Sequence, residues 1–267
     1  MNLTDTHAHL YAEEFSADRS DMVQRAINKG ITKMLLPNVE LNTVDGMLSV
    51  CNTFPQNVFP MMGLHPCNLG NNWENDMQLI EQHLRYNPYI AVGEIGIDLY
   101  WDKTTFTQQR AAFIYQMTLA KELQLPVSIH SRGATSECIE VIEQNKLFTC
   151  GVFHCWGGTL EQAKQVIDLG FALGVGGVLT FKNSGLPAIV KEIDLQYLVL
   201  ETDAPYLAPM PFRGKRNESA YIFEIAQKLS EIKMIPQEEV AAITTANAER
   251  IFKMNAFLQK RNTTPLQ

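Results

Sequence analysis

Histidines and carboxylates recur along this 267-residue chain at the ends of short apolar runs. Of the six histidines, five lie at such positions, as do two carboxylates. Neutral imidazole suits zinc and other first-row ions, whereas carboxylates suit magnesium and manganese. Burying several of these groups together is costly unless a cation pairs them. The candidate metal ligands are His7, His9, Glu94, His130, His154 and Asp203.

The spacing of His7 and His9 is the first local signal. They are two residues apart at the end of the first predicted strand, so both side chains leave the same face. Such a pair alone is weak evidence, because a histidine in a strand can simply be hydrogen-bonded. It becomes strong evidence because Glu94, His130 and His154 follow later strands in the same way.

Eight apolar runs predict strands, and amphipathic stretches between them predict helices. Such alternation indicates a parallel sheet covered on both faces. Eight units in 267 residues average about 33 residues, which favours an α/β fold with a single (β/α)₈ TIM barrel spanning residues 1–267. A doubly wound open sheet is the alternative, but no G-x-G-x-x-G follows the first strand. The predicted strands are Leu3–His7, Ile31–Leu36, Val58–Met62, Ile90–Glu94, Val127–His130, Val152–His154, Phe171–Val175 and Tyr197–Glu201.

Three helices have clear sequence boundaries. The apolar spacing over Thr105–Leu123 predicts a helix, and Thr105-x-x-Gln108 predicts a capping box at its start. A second helix over Asp21–Lys29 ends before Gly30, which tolerates the left-handed turn after a helix. Pro236 suits the first turn of a C-terminal helix, because its missing N–H is not needed there.

The composition limits the classes of function. The net charge is −7, which argues against broad electrostatic contact with nucleic acid, so any phosphate site must be local and assisted, for example by a metal ion. The five cysteines form no C-x-x-C pair, which favours a reducing compartment. With no secretory signal and no apolar run of about 18 residues, we expect a cytoplasmic protein, monomeric and not bound to membranes.

The motifs resemble those of the TatD family of metal-dependent hydrolases, within the amidohydrolase-like barrels. The resemblance extends over almost the whole chain. The matching blocks are Asp5–Leu10, Gly63–Pro66, Gly93–Asp98, Ile129–Arg132, Phe153–Cys155, Glu201–Leu207 and Arg213–Glu218.

The resemblance implies a barrel with two divalent metal ions (zinc, magnesium or manganese) and hydrolase activity, typically deoxyribonuclease activity of the exonuclease type. One ion would be held by His7, His9, Glu94 and Asp203. Glu94, bridging, would hold the second ion with His130 and His154. Asp203 and Glu94 would then be the catalytic residues, acting on phosphodiester bonds through water activated by the two ions. The expected substrate is DNA or an oligonucleotide, most simply single-stranded.

Further residues are candidates for substrate contact. His65 and Arg132 follow predicted strands, and the loop after the last strand adds Arg213, Lys215 and Arg216 as local positive charge. Aromatic rings can stack on bases, and the candidates for this are Trp156, Tyr100 and Trp101. Asp5 and Asp98 are candidates to orient histidine ligands.

The sequence departs from the family pattern on the substrate side of the rim. Cys67 replaces a common second histidine, Gly133 replaces an acidic residue, and Trp156–Gly158 and Asn217–Ser219 differ from the usual motifs. No proposed metal ligand is affected.

Two alternative functions remain open at this stage. The first is an amidohydrolase acting on an amide or a lactone, although the carboxylated lysine that often bridges such sites has no counterpart in Ala91–Ile97. The second is a non-catalytic protein that retains the metal site as a relic.

Overall fold

Eight parallel strands form the centre of the molecule. The computed structural model describes residues 1–263. Each strand pairs with the next one along the chain, in the order β1 to β8. The strands are β1 Leu3–Asp5, β2 Ile31–Pro37, β3 Val58–Met62, β4 Ala91–Gly96, β5 Val127–His130, β6 Gly151–Phe153, β7 Phe171–Val175 and β8 Leu198–Leu200.

The last strand returns to the first and nearly closes the sheet. The Thr6 N–H donates to the Leu200 carbonyl at 3.1 Å, and the Asp203 N–H donates to the His7 carbonyl at 2.8 Å. These bonds lie just beyond the ends of β1 and β8, so they join the two segments that carry several of the predicted ligands. The (β/α)₈ TIM barrel predicted from the sequence is confirmed.

Helices follow the strands and cover the outside of the sheet. The predicted helices near Asp21, Thr105 and Pro236 are all present, with ends that shift by a few residues. The helices are α1 Arg19–Asn28, α2 Val44–Thr53, α3 Trp73–Tyr86, α4 Phe106–Leu123, α5 Thr135–Gln144, α6 Leu160–Asp168, α7 Leu186–Glu192, α8 Ile222–Lys233, α9 Gln237–Ile251 and α10 Met254–Thr263.

The predicted capping box at the start of α4 is wrong. The Thr105 side chain makes no capping hydrogen bond; its hydroxyl instead accepts a bond of 2.9 Å from the Gln109 amide. The Thr105 hydroxyl is therefore bound by the side chain of Gln109, the residue after the predicted partner Gln108. A capping box does form at α6, where Thr159 and Gln162 satisfy each other's backbone N–H groups.

Apolar side chains fill the barrel at the N-terminal ends of the strands. Leu35, Phe59 and Val199 belong to a buried cluster that also contains Phe252 and Phe257 from the C-terminal segment. Phe59 and Phe257 meet edge to face with ring centroids 5.8 Å apart. The ionisable side chains lie at the other end, at and beyond the C-terminal ends of the strands. Within residues 1–263, no helix combines the length and the apolar character needed to cross a bilayer.

Candidate metal centre

The Glu94 side chain, carried by β4, occupies the centre of the rim and is only 3% exposed. Its Oε2 atom faces the segment that follows β1, at 3.2 Å from His7 Nε2 and 3.5 Å from His9 Nε2. Asp203 closes this side, with Oδ1 at 3.4 Å from His9 Nε2. The alternation predicted for His7 and His9 therefore places both rings toward the same carboxylate.

The other oxygen of Glu94 faces a second group of histidines. Its Oε1 atom lies 2.7 Å from His154 Nε2, 2.9 Å from His130 Nδ1 and 3.4 Å from His65 Nε2. One carboxylate thus faces two sets of imidazoles, one through each oxygen. A bridging ligand between two cations requires this arrangement.

The ring nitrogens of His7 and His9 that point away from Glu94 have partners of their own. His7 Nδ1 lies 3.1 Å from the Ser128 hydroxyl, and His9 Nδ1 lies 3.1 Å from the Tyr11 hydroxyl. The Tyr11 hydroxyl itself donates to the Pro37 carbonyl at 2.6 Å, so it accepts from His9 Nδ1–H. This leaves His9 Nε2 without a proton in the neutral ring, as metal binding requires.

Asp98 orients His130, as predicted from the sequence. Its Oδ2 atom lies 2.8 Å from His130 Nε2, which leaves Nδ1 directed at Glu94. Burial raises the pKa of Asp98, but the hydrogen bond and charge of His130, together with the backbone N–H groups of Trp101 and Tyr100, outweigh burial and bring that pKa to about 2. The carboxylate is therefore ionised and holds the proton of the imidazole on the outer nitrogen.

His154 and Glu201 contain polar atoms that have no partner. His154 Nδ1 and Glu201 Oε2 are both buried without a hydrogen bond, and His154 Nδ1 lies 3.7 Å from Glu201 Oε1. A small movement would let the ring donate to the carboxylate. The outer ring nitrogen of His154 therefore faces an oxygen atom, as in His7, His9 and His130, but at 3.7 Å the two atoms are too far apart for a hydrogen bond.

The electrostatics of the cluster favour a positive charge at its centre. Burial alone would raise the pKa of Glu94, but the nearby rings of His154, His65 and His7 hold that pKa well below its usual range. Burial also lowers the pKa of His154, yet Glu94 and Glu201 raise it well above its usual value. Glu94 and Glu201 therefore favour positive charge beside His154, which either a proton or a bound cation would supply.

The residues present fit divalent cations. Three groups of side chains each bring their ligand atoms within 4.8 Å of one another: His7, His9 and Glu94; His7, His154 and Asp203; and His65, Glu94 and His130. Imidazole and carboxylate are the donors such ions take, and His154 belongs to one of the groups. All six predicted ligands are brought together, with His65 beside them.

Only some of the residues predicted from the sequence to contact substrate lie at the cavity with exposed surface. A cavity of about 1300 Å³ opens over the cluster, and His65 and Arg132 line it. Trp156 also contributes to the wall but is only 2% exposed and packs edge to face on Phe153. The stacking interpretation for Trp156 is therefore not supported, because no ring face is free for a base.

The loop after β8 does not bring its cations to the cavity. Arg213 lies over the Phe181 ring at 4.4 Å, and Lys215 is exposed; neither is among the residues that line the cavity. Arg216 pairs with Asp18 at 2.7 Å. Within the described part of the chain, Arg132 is the one lysine or arginine that lines this cavity.

Asp5 has a different role from the predicted one. It accepts hydrogen bonds from the Thr202 hydroxyl and the Ser219 hydroxyl, both at 2.6 Å, and meets His7 only through the backbone N–H at 3.3 Å. Burial raises its pKa to about 7. Asp5 thus joins β1 to the segment after β8, and does not orient an imidazole ring.

Sequence reasoning gave no role to Ser128, Tyr11 or Glu201. Ser128 shares the inward face of β5 with His130, and Glu201 follows β8 two residues before Asp203, so an i, i+2 spacing from a predicted ligand was a usable signal for both. Tyr11 carried no such signal, because it follows β1 outside any regular element.

Comparison with known proteins agrees with this arrangement. The family model described as "TatD related DNase" matches residues 4–253. The chain belongs to the TatD family of metal-dependent hydrolases. The Bacillus subtilis protein YabD, described as an uncharacterized metal-dependent hydrolase, is 36% identical over 255 residues, which cover 95% of this chain and 100% of YabD.

Other members of the TatD family support the assignment. Escherichia coli YcfH, described in the same words, is 31% identical over 263 residues, which cover 96% of this chain and 97% of YcfH. Among solved structures, the E. coli TatD homologue YjjV superposes with a TM-score of 0.89 and 30% identity, covering 94% of this chain and 98% of YjjV. The sequence-based resemblance is confirmed, and the protein is a metal-dependent hydrolase of this family.

Proposed function

We propose that this TatD-family protein hydrolyses phosphodiester bonds in single-stranded DNA or oligonucleotides with two divalent cations. The main support for the proposal is that the two oxygens of Glu94 face two different groups of histidines. His7, His9 and Asp203 would complete one ion site, and His130 and His154 the other. Bound cations would supply Lewis-acid stabilisation of the negative charge that develops on the phosphate and on the attacking water.

Asp203 is suited to hold the attacking water and to accept its proton. Its side chain lines the cavity and is 14% exposed, so water can reach it. Burial raises its pKa, but the neighbouring rings of His9, His154 and His7 bring the net shift below the usual value. The carboxylate is therefore ionised at neutral pH and has a free acceptor position.

His65 is suited to donate a hydrogen bond to the substrate. The backbone N–H of Cys67 donates to His65 Nδ1 at 3.1 Å. The neutral ring must then carry its proton on Nε2, which faces the centre of the cavity beside Glu94. Although His65 lies among the metal-binding groups, this proton makes it a donor to a phosphate or leaving-group oxygen.

An assay with a single-stranded oligonucleotide tests the proposal. The protein is freed of metal, reloaded with zinc, magnesium or manganese, and assayed for cleavage. We expect metal-dependent cleavage, and we expect Asp203→Asn to reduce it by at least about 100-fold while the circular dichroism spectrum stays unchanged. The exposed Asp45 on α2 provides the matched control, Asp45→Asn, which should retain full activity.

Two results would count against the proposal. Full activity in Asp203→Asn would remove the assigned role of that carboxylate. An absence of cleavage by metal-loaded wild-type protein, on DNA and on a generic phosphodiester, would favour an amide or lactone substrate or a metal site without catalysis.

A further inference from the structure

Two large aromatic side chains lie exposed at the mouth of the cavity. Tyr100 and Trp101, in the loop after β4, are 62% and 68% exposed, and their rings meet edge to face at 5.0 Å. Trp101 lines the cavity over the candidate metal centre. Because Trp101 combines this exposure with a position on the cavity wall, its ring surface is available to a flat group bound beside the candidate metal centre.

Arg132, two residues beyond the end of β5, completes the aromatic site. Its guanidinium carbon lies 4.0 Å from the centre of the Tyr100 ring and 5.1 Å from that of Trp101. The Tyr100 face is thus covered by the cation, whereas Trp101 keeps exposed surface toward the cavity. A cation beside a free aromatic face is the combination that binds a base joined to a phosphate.

Asp98 fixes this loop relative to the candidate metal centre. Its Oδ1 atom accepts hydrogen bonds of 2.8 Å from the backbone N–H groups of both Tyr100 and Trp101. Its Oδ2 atom is the partner of His130 Nε2. One buried carboxylate therefore sets the position of a predicted ligand and of the aromatic pair, so the distance between them is held without a substrate.

We infer that Trp101, with Arg132 beside it, is a stacking subsite for an unpaired nucleobase next to the scissile phosphate. This inference rests on the phosphodiesterase activity proposed above, and it identifies a base as the group recognised next to the bond that is cut. A base within a duplex presents only its edges, so the subsite requires single-stranded substrate. Stacking tolerates any base, so the subsite selects for a nucleotide and not for a sequence.

Two substrates separate this subsite from the chemistry of cleavage. One is tetrathymidylate, and the other is the same sugar-phosphate chain with tetrahydrofuran residues in place of all nucleosides. We expect wild-type protein with its metal to favour tetrathymidylate in kcat/KM by about 5- to 150-fold, the range that one stacked base contributes. Trp101→Leu should remove this preference and leave cleavage of the abasic chain within about twofold.

Two further variants provide controls. Trp101→Phe keeps an aromatic ring and should retain most of the preference. Tyr86→Ala removes an aromatic side chain that is 77% exposed at the end of α3 and does not line the cavity. This variant should cleave both substrates as the wild type does.

The outcomes are distinguishable. A preference that survives Trp101→Leu, or equal cleavage of both chains by wild-type protein, overturns the subsite and leaves the phosphodiesterase proposal standing. Loss of abasic cleavage in Trp101→Leu also overturns it, because the residue would then act on the structure of the site. If wild-type protein cleaves neither chain, the phosphodiesterase proposal fails and the subsite fails with it.

Discussion

Glu201→Gln tests how the buried surroundings of His154 contribute to metal binding. Glu201 is fully buried, and its Oε1 atom lies 3.7 Å from His154 Nδ1. Glutamine keeps the shape of the side chain and removes its negative charge. Shape matters here, because a Cβ placed on Gly174 would lie only 2.3 Å from Glu201 Oε2. The variant therefore changes the electrostatics of His154 with little change in packing.

The expected effect is a loss of metal affinity. A carboxylate that holds the outer N–H of a metal-binding histidine contributes about 10- to 100-fold in affinity, or about 1.4–2.7 kcal/mol. We expect the upper half of this range, because both partners are excluded from water: His154 is 5% exposed and Glu201 is not exposed. The dissociation constant of the weaker-bound ion should therefore rise by about 30- to 100-fold.

Competition with a chromogenic chelator measures this constant. Glu239→Gln, at an exposed position at the start of α9, is the matched control and should bind metal as the wild type does. Unchanged affinity in a folded Glu201→Gln protein would refute the argument that Glu201 supports His154 as a ligand.

Three other expectations can be tested. Adding metal at about 100 times its dissociation constant should stabilise the fold by about 2.7 kcal/mol, seen as a Tm increase of about 5–10 °C over chelator-treated protein; an unchanged Tm would contradict binding to the folded state. Asn217→Ala removes bonds from the buried amide to the carbonyls of Thr202 and Tyr206 and should cost about 1–3 kcal/mol in denaturant unfolding, whereas a smaller loss would show that these carbonyls find other partners. Hydrogen bonds from Arg216 and Arg25 lower the pKa of Asp18 below its usual 3.8, so the stabilisation is present above about pH 4 and disappears in more acidic solution. Asp18→Asn should therefore cost about 1 kcal/mol at pH 7 and less at pH 3, and a cost independent of pH would contradict the ion-pair explanation.

The sequence was most informative where strand periodicity and ligand chemistry coincide. His130, His154 and Asp203 each follow a buried strand, and parallel strands in a barrel end at the same rim. Once the strands were placed, the meeting of these side chains with Glu94 followed from topology. The observed distances then divide the two oxygens of Glu94 between the two histidine groups.

Side-chain direction outside regular elements was less predictable. Trp156 and Trp101 both follow strands and both were candidates for stacking, yet Trp156 is buried against Phe153 and Trp101 is exposed. The difference depends on loop conformation and on the space available around each ring, neither of which has a periodic signal. The same limit applies to Arg213, whose position over Phe181 results from a contact between two loops far apart in the sequence.

The most direct test of the central claim is anomalous diffraction from crystals grown with manganese. The account predicts two anomalous peaks on either side of the Glu94 carboxylate. One should be bound by His7, His9 and Asp203, and the other by His130 and His154. Absence of a peak in contact with Glu94, or peaks held by other side chains, would contradict the proposed two-ion centre.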